Sequence, residues 1–120
     1  MLLEEIIDIE EIGTSYYLGD IGANEYAFPK EGSLKVISLL RNKMIPILGG
    51  DVYVRDGGTI VPAYANWFYD WQESEPYSDY VIRSCEKAFD FVSNYPSCDN
   101  ALFVIVPGDP SQIYSLSLRM

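Results

Sequence analysis

The sequence predicts an α+β domain in which helices pack on a mainly antiparallel β-sheet. Three stretches have the apolar spacing of amphipathic helices, and strand-like segments separated by glycine and proline turns lie between and after them. With 120 residues, 48% of them hydrophobic, the chain can bury a core without metal or disulfide crosslinks. Because no repeat or flexible linker divides it, we expect one domain over residues 1–120.

The N-terminal third predicts two helices and one short strand. Leucines and isoleucines alternate with acids over residues 2–12, which predicts a short amphipathic helix. Glycines then interrupt the pattern, and residues 16–18 predict a brief strand. A second helix is expected from Pro29 to Lys43, because proline suits a first helical turn and basic side chains suit the last one. Its apolar stripe consists of Leu34, Ile37 and Leu40.

The middle of the chain predicts three strands. Residues 45–54 are apolar and β-branched, and the pair Gly49–Gly50 interrupts them. Residues 56–58 form a hairpin turn signal, so that residues 59–61 are expected to return along the first strand. Residues 64–71 predict a third strand with aromatic side chains on both faces.

The second half predicts a long helix and two further strands. The helix should begin at Pro76 or Ser78 and end at Asn94. Residues 101–106 are a short apolar run, typical of a central strand covered on both faces, and residues 114–118 alternate as an edge strand does. The apolar stripe of the helix consists of Val81, Cys85, Ala88 and Val92.

The chain contains no histidine, which excludes several kinds of catalytic site. The usual general base near neutral pH is missing, and so are serine–histidine and cysteine–histidine pairs. Cys85 and Cys98 alone cannot complete a tetrahedral zinc site, so we expect no metal and no cofactor. The two cysteines are expected to be reduced cytosolic thiols, with Cys85 buried on its helix.

Eighteen acidic against eight basic residues give a formal charge of −10. An acidic surface argues against direct binding of nucleic acid or of an anionic membrane, and it favours a basic protein partner. The first residues lack the features of a signal peptide, and no window is apolar enough to span a membrane. We therefore expect a cytoplasmic protein.

Two patterns suggest chemistry, but each has a structural explanation. Gly49–Gly50 followed by Asp51 resembles a phosphate loop, although no lysine follows and a strand comes next, which favours a β-bulge. Acid pairs for glycosidase-type catalysis are available, but with eighteen acids such pairs are expected by chance. The pairs considered are Asp51 with Asp70, and Glu73 with Glu75.

Residues 64–80 combine aromatic and acidic side chains at unusual density. Seven of these seventeen residues are aromatic, against 14% in the whole chain, and no lysine or arginine lies between Arg55 and Arg83. Tyrosine and tryptophan beside acids are typical of an interface for a basic partner. Rings that fill the core under the long helix are the alternative explanation, and composition favours neither.

Two segments of the middle strands resemble immunity protein family 40 of bacterial polymorphic toxin systems. They are residues 45–53, IPILGGDVY, and residues 62–68, PAYANWF; weaker matches occur at 83–88 with Tyr95 and at 102–106. The resemblance covers roughly residues 20–106. It implies an immunity-protein domain that binds a cognate toxin, and it brings no catalytic residues. We expect its motif positions to be packed determinants of the fold: Gly49, Gly50, Asp51, Tyr53, Tyr64, Asn66 and Trp67.

The resulting hypothesis is a non-catalytic immunity protein that neutralises a co-encoded, basic toxin. The alternatives are a small carbohydrate- or nucleotide-processing enzyme that uses Asp51 and an acid of the aromatic segment, and a generic acidic interaction module. The acidic residues of the first helix are the second choice for the partner surface. The first choice is Tyr69, Asp70, Trp71, Glu73, Glu75 and Tyr77.

Overall fold

The structure is a computed structural model that describes residues 2–72, 74–96 and 100–109. Its α-helices are α1 (Ile9–Ile12), α2 (Lys30–Asn42) and α3 (Tyr77–Asn94). Its strands are β1 (Tyr16–Tyr17), β2 (Tyr26–Ala27), β3 (Ile47–Asp56), β4 (Thr59–Phe68) and β5 (Ala101–Pro107). Short 3₁₀ helices occupy Leu3–Glu5 and Gly19–Ile21.

The strands form one three-stranded antiparallel sheet and one small hairpin. In the sheet, β3 lies between β4 and β5, and the hairpin consists of β1 and β2. The hairpin joins the outer edge of β5 through Phe28 and Phe103, whose backbone amides each donate to the other's carbonyl at 2.9 and 2.8 Å. Helices beside antiparallel sheets confirm the predicted α+β class.

Helices α2 and α3 cover one face of the sheet. Each begins after a proline, Pro29 or Pro76, whose fixed φ suits the start of a helix. The predicted stripe of α3 is buried, and so is its Ser84, whose hydroxyl accepts from the Ile47 amide at 3.0 Å. The core between helices and sheet includes Val36, Leu40, Val52, Val81, Cys85, Ala88 and Phe103.

The opposite face of the sheet is only partly covered. Leu18 and Ala27, from the hairpin region, pack with Leu102 and Val104, so β5 is buried on both faces as predicted. The same cluster partly covers Tyr53 of β3 and Ile60 of β4. Beyond them no described element covers this side, where Asp51 pairs with Asn66 and the alternate residues of β4 from Pro62 to Phe68 are exposed. We call this uncovered part of the sheet the open face.

The first predicted helix is two short elements instead of one. Asp8 separates them, because its side chain accepts the Glu10 amide at 3.0 Å and begins α1 as an N-cap. Gly13, with φ +111°, ends α1. The predicted apolar side is nevertheless correct, since Leu3, Ile7 and Ile12 are buried.

The two strands predicted over residues 59–61 and 64–71 are one strand, β4, which ends at Phe68. The interruption in the sequence pattern is a β-bulge: Asp51 pairs with Asn66 but Tyr53 with Pro62, so β4 contains two extra residues there. The edge strand predicted over residues 114–118 lies outside the described residues.

Candidate functional site

The glycine pair lies where three strands approach closely. A Cβ at Gly49 would be 2.1 Å from the Trp67 carbonyl oxygen, and one at Gly50 would be 2.1 Å from that of Val104. Pairing with β5 shifts register between Ile47 and Gly49, which places one extra residue, Leu48, in a bulge. The bulge interpretation is confirmed, and the glycines permit close strand packing.

Beside the glycines, Asp51 lies on the open face near two other titratable groups. Burial, and then the charge of Asp51, raise the pKa of Glu25 above its usual value. Burial and the charges of Asp51 and Glu25 likewise raise the pKa of Tyr53. The ion pairs of the described residues involve Arg41 with Glu86 and Arg83 with Glu75, so neither Asp51 nor Glu25 has a cationic partner there.

Two aromatic side chains project from the open face beside these acids. Tyr64 is 93% exposed and Phe68 is 73% exposed, the largest values among the exposed large hydrophobic residues of the described chain. Tyr64 lies in the bulge of β4 with φ +57°, in the left-handed region. The prediction that Tyr64 and Asn66 pack in the fold is therefore wrong, because both side chains face outward.

Shallow grooves flank the Asp51–Asn66 pair. One of about 320 Å³ extends towards Leu48 and Phe68, and one of about 280 Å³ extends towards Pro62 and Tyr64. The exposed rings, Asp51 and the grooves form one surface, which we call the open-face patch. It consists of Asp51, Tyr64, Asn66 and Phe68.

The segment predicted to bind a partner is instead tied to α3 by Arg83. The Arg83 guanidinium donates to both Glu75 carboxylate oxygens, at 2.5 and 2.6 Å, and to the Asp70 carbonyl at 2.8 Å. Its Cζ lies 4.2 Å from the centre of the Tyr69 ring, a cation–π contact. Hydrogen bonding to Arg83 lowers the pKa of Glu75, which keeps this carboxylate charged.

Other aromatic side chains of this segment also bond within the chain. The Trp71 indole donates to the Glu75 carbonyl at 2.9 Å, and the Tyr77 hydroxyl donates to the Met44 carbonyl at 2.6 Å. The Asp70 side chain is exposed, and Glu73 lies outside the described residues. These six residues remain a predicted partner surface, and the contacts just described show that several of them also support the loop before α3.

Glu75 and Cys85, two residues that could carry chemistry, are engaged or buried in the fold. Glu75 is bound to Arg83, which removes it from the acid pairs considered, and no three His, Cys, Asp or Glu residues of the described chain are grouped to hold a metal. Cys85 is buried as predicted, and burial raises its pKa to about 11, which keeps the thiol protonated near neutral pH. Cys98 lies outside the described residues.

Fold and site together define a small acidic α+β domain with an uncovered, aromatic and acidic sheet face. None of its described helices has the length and apolar character needed to cross a membrane. The family model of Immunity protein 40 matches residues 17–107, from β1 to the last residue of β5, and the chain belongs to this family of immunity proteins of toxin systems. Comparisons with curated proteins and with solved structures find no match.

Proposed function

We propose that this protein neutralises a cognate, co-encoded toxin by binding it, without chemistry of its own. The observation that carries the proposal, beside the family, is the open-face patch, where two highly exposed rings lie beside Asp51, which has no ion-pair partner among the described residues. Exposed aromatic side chains gain free energy when a partner covers them, and acids gain it when they meet a basic group. A cytoplasmic location would let the protein protect the cell that makes the toxin.

A basic toxin domain is the partner that the charge favours. The chain carries a net charge of −10, which attracts a positively charged surface and disfavours nucleic acid. An inhibitor of this charge could cover the basic face that a nucleic-acid-cleaving toxin needs for its substrate. The enzymatic alternative needs an acid of the aromatic segment beside Asp51, and Glu75, one of those acids, is hydrogen-bonded to Arg83 instead.

Titration calorimetry of the purified chain with the toxin domain encoded beside it tests this function. We expect a dissociation constant of about 1 nM or tighter, equivalent to about 12 kcal/mol, because the pair must stay associated at low cellular concentrations. A toxin domain from an unrelated pair serves as the control and should not bind. Affinity for the cognate domain no better than about 1 μM would contradict the proposal.

A further inference from the structure

We infer that the open-face patch is the surface that receives the toxin, with Tyr64 and Phe68 as aromatic anchors and with Asp51 receiving an arginine or lysine side chain. This inference rests on the proposed function and adds to it the location of the interface and the chemistry of its partner. It differs from the surface predicted over residues 69–77, where the side chains are largely engaged within the chain.

The first argument is the exposure of two rings on one strand face. Tyr64 and Phe68 lie four residues apart on β4, roughly 13 Å along a strand, with Asn66 between them on the same side. Their neighbour Trp67 points to the other face, where it stacks on Phe91 with ring centres 4.4 Å apart. The fold therefore uses one ring of this run for its core and leaves two for a partner.

The second argument is the backbone at Tyr64. A left-handed φ of +57° is unfavourable for a residue with a side chain, and a glycine would adopt it without that cost. Bulges of this kind redirect a side chain, and strained residues concentrate at functional sites. The bulge and Pro62 also interrupt the outer edge of β4, which disfavours strand addition and leaves the face as the place for contact.

The third argument is charge. Asp51 lines both shallow grooves of the patch and has no ion-pair partner among the described residues, so a cationic side chain that enters either groove would meet its carboxylate. Burial and then the charge of Asp51 raise the pKa of Glu25, which supports the same argument. The basic side chain on the same side of β3, Arg55, is hydrogen-bonded to the Tyr16 hydroxyl and lies 5.3 Å over the Tyr16 ring. The patch therefore fits a basic protein surface that presents a long cationic side chain.

A second apolar groove provides the matched control. It has a volume of about 590 Å³ and lies between α1, α2 and α3, where it is lined by Leu39 and Phe89 among others. Phe89 is an exposed aromatic residue, at 44%, but Lys35 adjoins two acids in the same groove, so no charge argument favours a basic partner there.

The test measures toxin affinity and thermal stability for Tyr64→Gly, Phe68→Ala, Asp51→Asn and the control Phe89→Ala. We expect Tyr64→Gly and Phe68→Ala each to weaken binding by about 30-fold or more, and Asp51→Asn by about tenfold. The melting temperature of Tyr64→Gly should not fall, because the exposed ring contributes no core packing and glycine suits the backbone. Phe89→Ala should leave the affinity unchanged.

The outcomes separate the inference from the proposed function. If the wild-type chain does not bind the toxin domain, the proposed function fails and the inference fails with it. If the wild type binds tightly and all three patch variants bind equally well, the function stands and the location is overturned. A loss of toxin affinity in Phe89→Ala alone would also overturn the location. Sedimentation would overturn it as well if the wild type were a dimer that Tyr64→Gly dissociates, because the patch would then bind a second copy of this chain.

Discussion

Gly50 shows how one residue controls the spacing of the sheet. It lies on the central strand, and a Cβ there would meet the Val104 carbonyl oxygen at 2.1 Å and the Trp67 ring at 2.3 Å. The first of these atoms belongs to the backbone of β5, which cannot move without disturbing the ladder. A side chain at residue 50 therefore has to separate strands or displace the tryptophan.

We predict that Gly50→Ala destabilises the fold by about 2 kcal/mol or more, as overpacking does in other cores. Gly58→Ala is the matched control, since nothing lies within 4 Å of a Cβ at that turn residue. Urea unfolding of both variants measures the difference. Equal urea midpoints for Gly50→Ala and the wild type would contradict this prediction, because they would show that the strands separate at residue 50 without loss of stability.

Neighbouring aromatic residues of β4 have different roles, and the sequence predicts only part of this difference. Successive strand residues alternate between faces, so Trp67 had to lie opposite Phe68. Assigning Tyr64 to the packed fold relied on its place in a family motif, whereas its side chain is exposed. The two-residue bulge could not be predicted from periodicity, because it depends on pairing with β3.

At the scale of elements, the two long helices, α2 and α3, could be predicted because each depends on local periodicity and on the residues at its start, whereas the first predicted helix is divided at Asp8. Pro29 and Pro76 indicated where α2 and α3 begin, and Val81, Cys85, Ala88 and Val92 are buried as expected. The loop before α3 could not be predicted, since its order comes from Arg83, which lies eight residues after Glu75 and contacts it only in the folded chain.

The loop itself leads to a prediction about Glu75. Its carboxylate is largely buried and accepts two hydrogen bonds from Arg83, so Glu75→Gln should lower the free energy of unfolding near pH 7 by about 1–2 kcal/mol. Asp70→Asn is the control, because the Asp70 side chain is exposed and only its carbonyl contacts Arg83. Denaturant unfolding of both variants provides the comparison.

The hydrogen-bonded pair of Glu75 and Arg83 also predicts how the free energy of unfolding depends on pH. Because folding lowers the pKa of Glu75 from its usual value of 4.5, the carboxylate contributes its stabilisation above that value. The contribution is lost as the pH falls from 4.5 through the lowered folded pKa. The stability gap between wild type and Glu75→Gln should therefore narrow below pH 4.5, and a gap that stays constant down to pH 2 would contradict this explanation.

At the scale of the whole molecule, the two faces of the sheet differ: one is buried under helices and the other is the open face. Helices α2 and α3 bury one side of the sheet, and on the other side the hairpin region covers β5 and partly covers Tyr53 and Ile60. The remaining face carries exposed rings and acids within a chain of net charge −10. Composition alone could predict a basic partner, but only the fold brings Asp51 beside the exposed rings of Tyr64 and Phe68, where we infer that the partner binds.

The net charge also predicts how fast the complex forms. If it steers a basic toxin, the association rate should fall severalfold between about 10 and 150 mM salt, where the Debye length shrinks from about 30 to about 8 Å, while dissociation changes less. Glu10→Gln and Asp51→Asn each remove one negative charge, so both should slow association slightly. Only Asp51→Asn should speed dissociation, because only Asp51 lies in the open-face patch. Stopped-flow measurements at several salt concentrations give both rates, and an association rate independent of salt would mean that the charge does not steer the toxin.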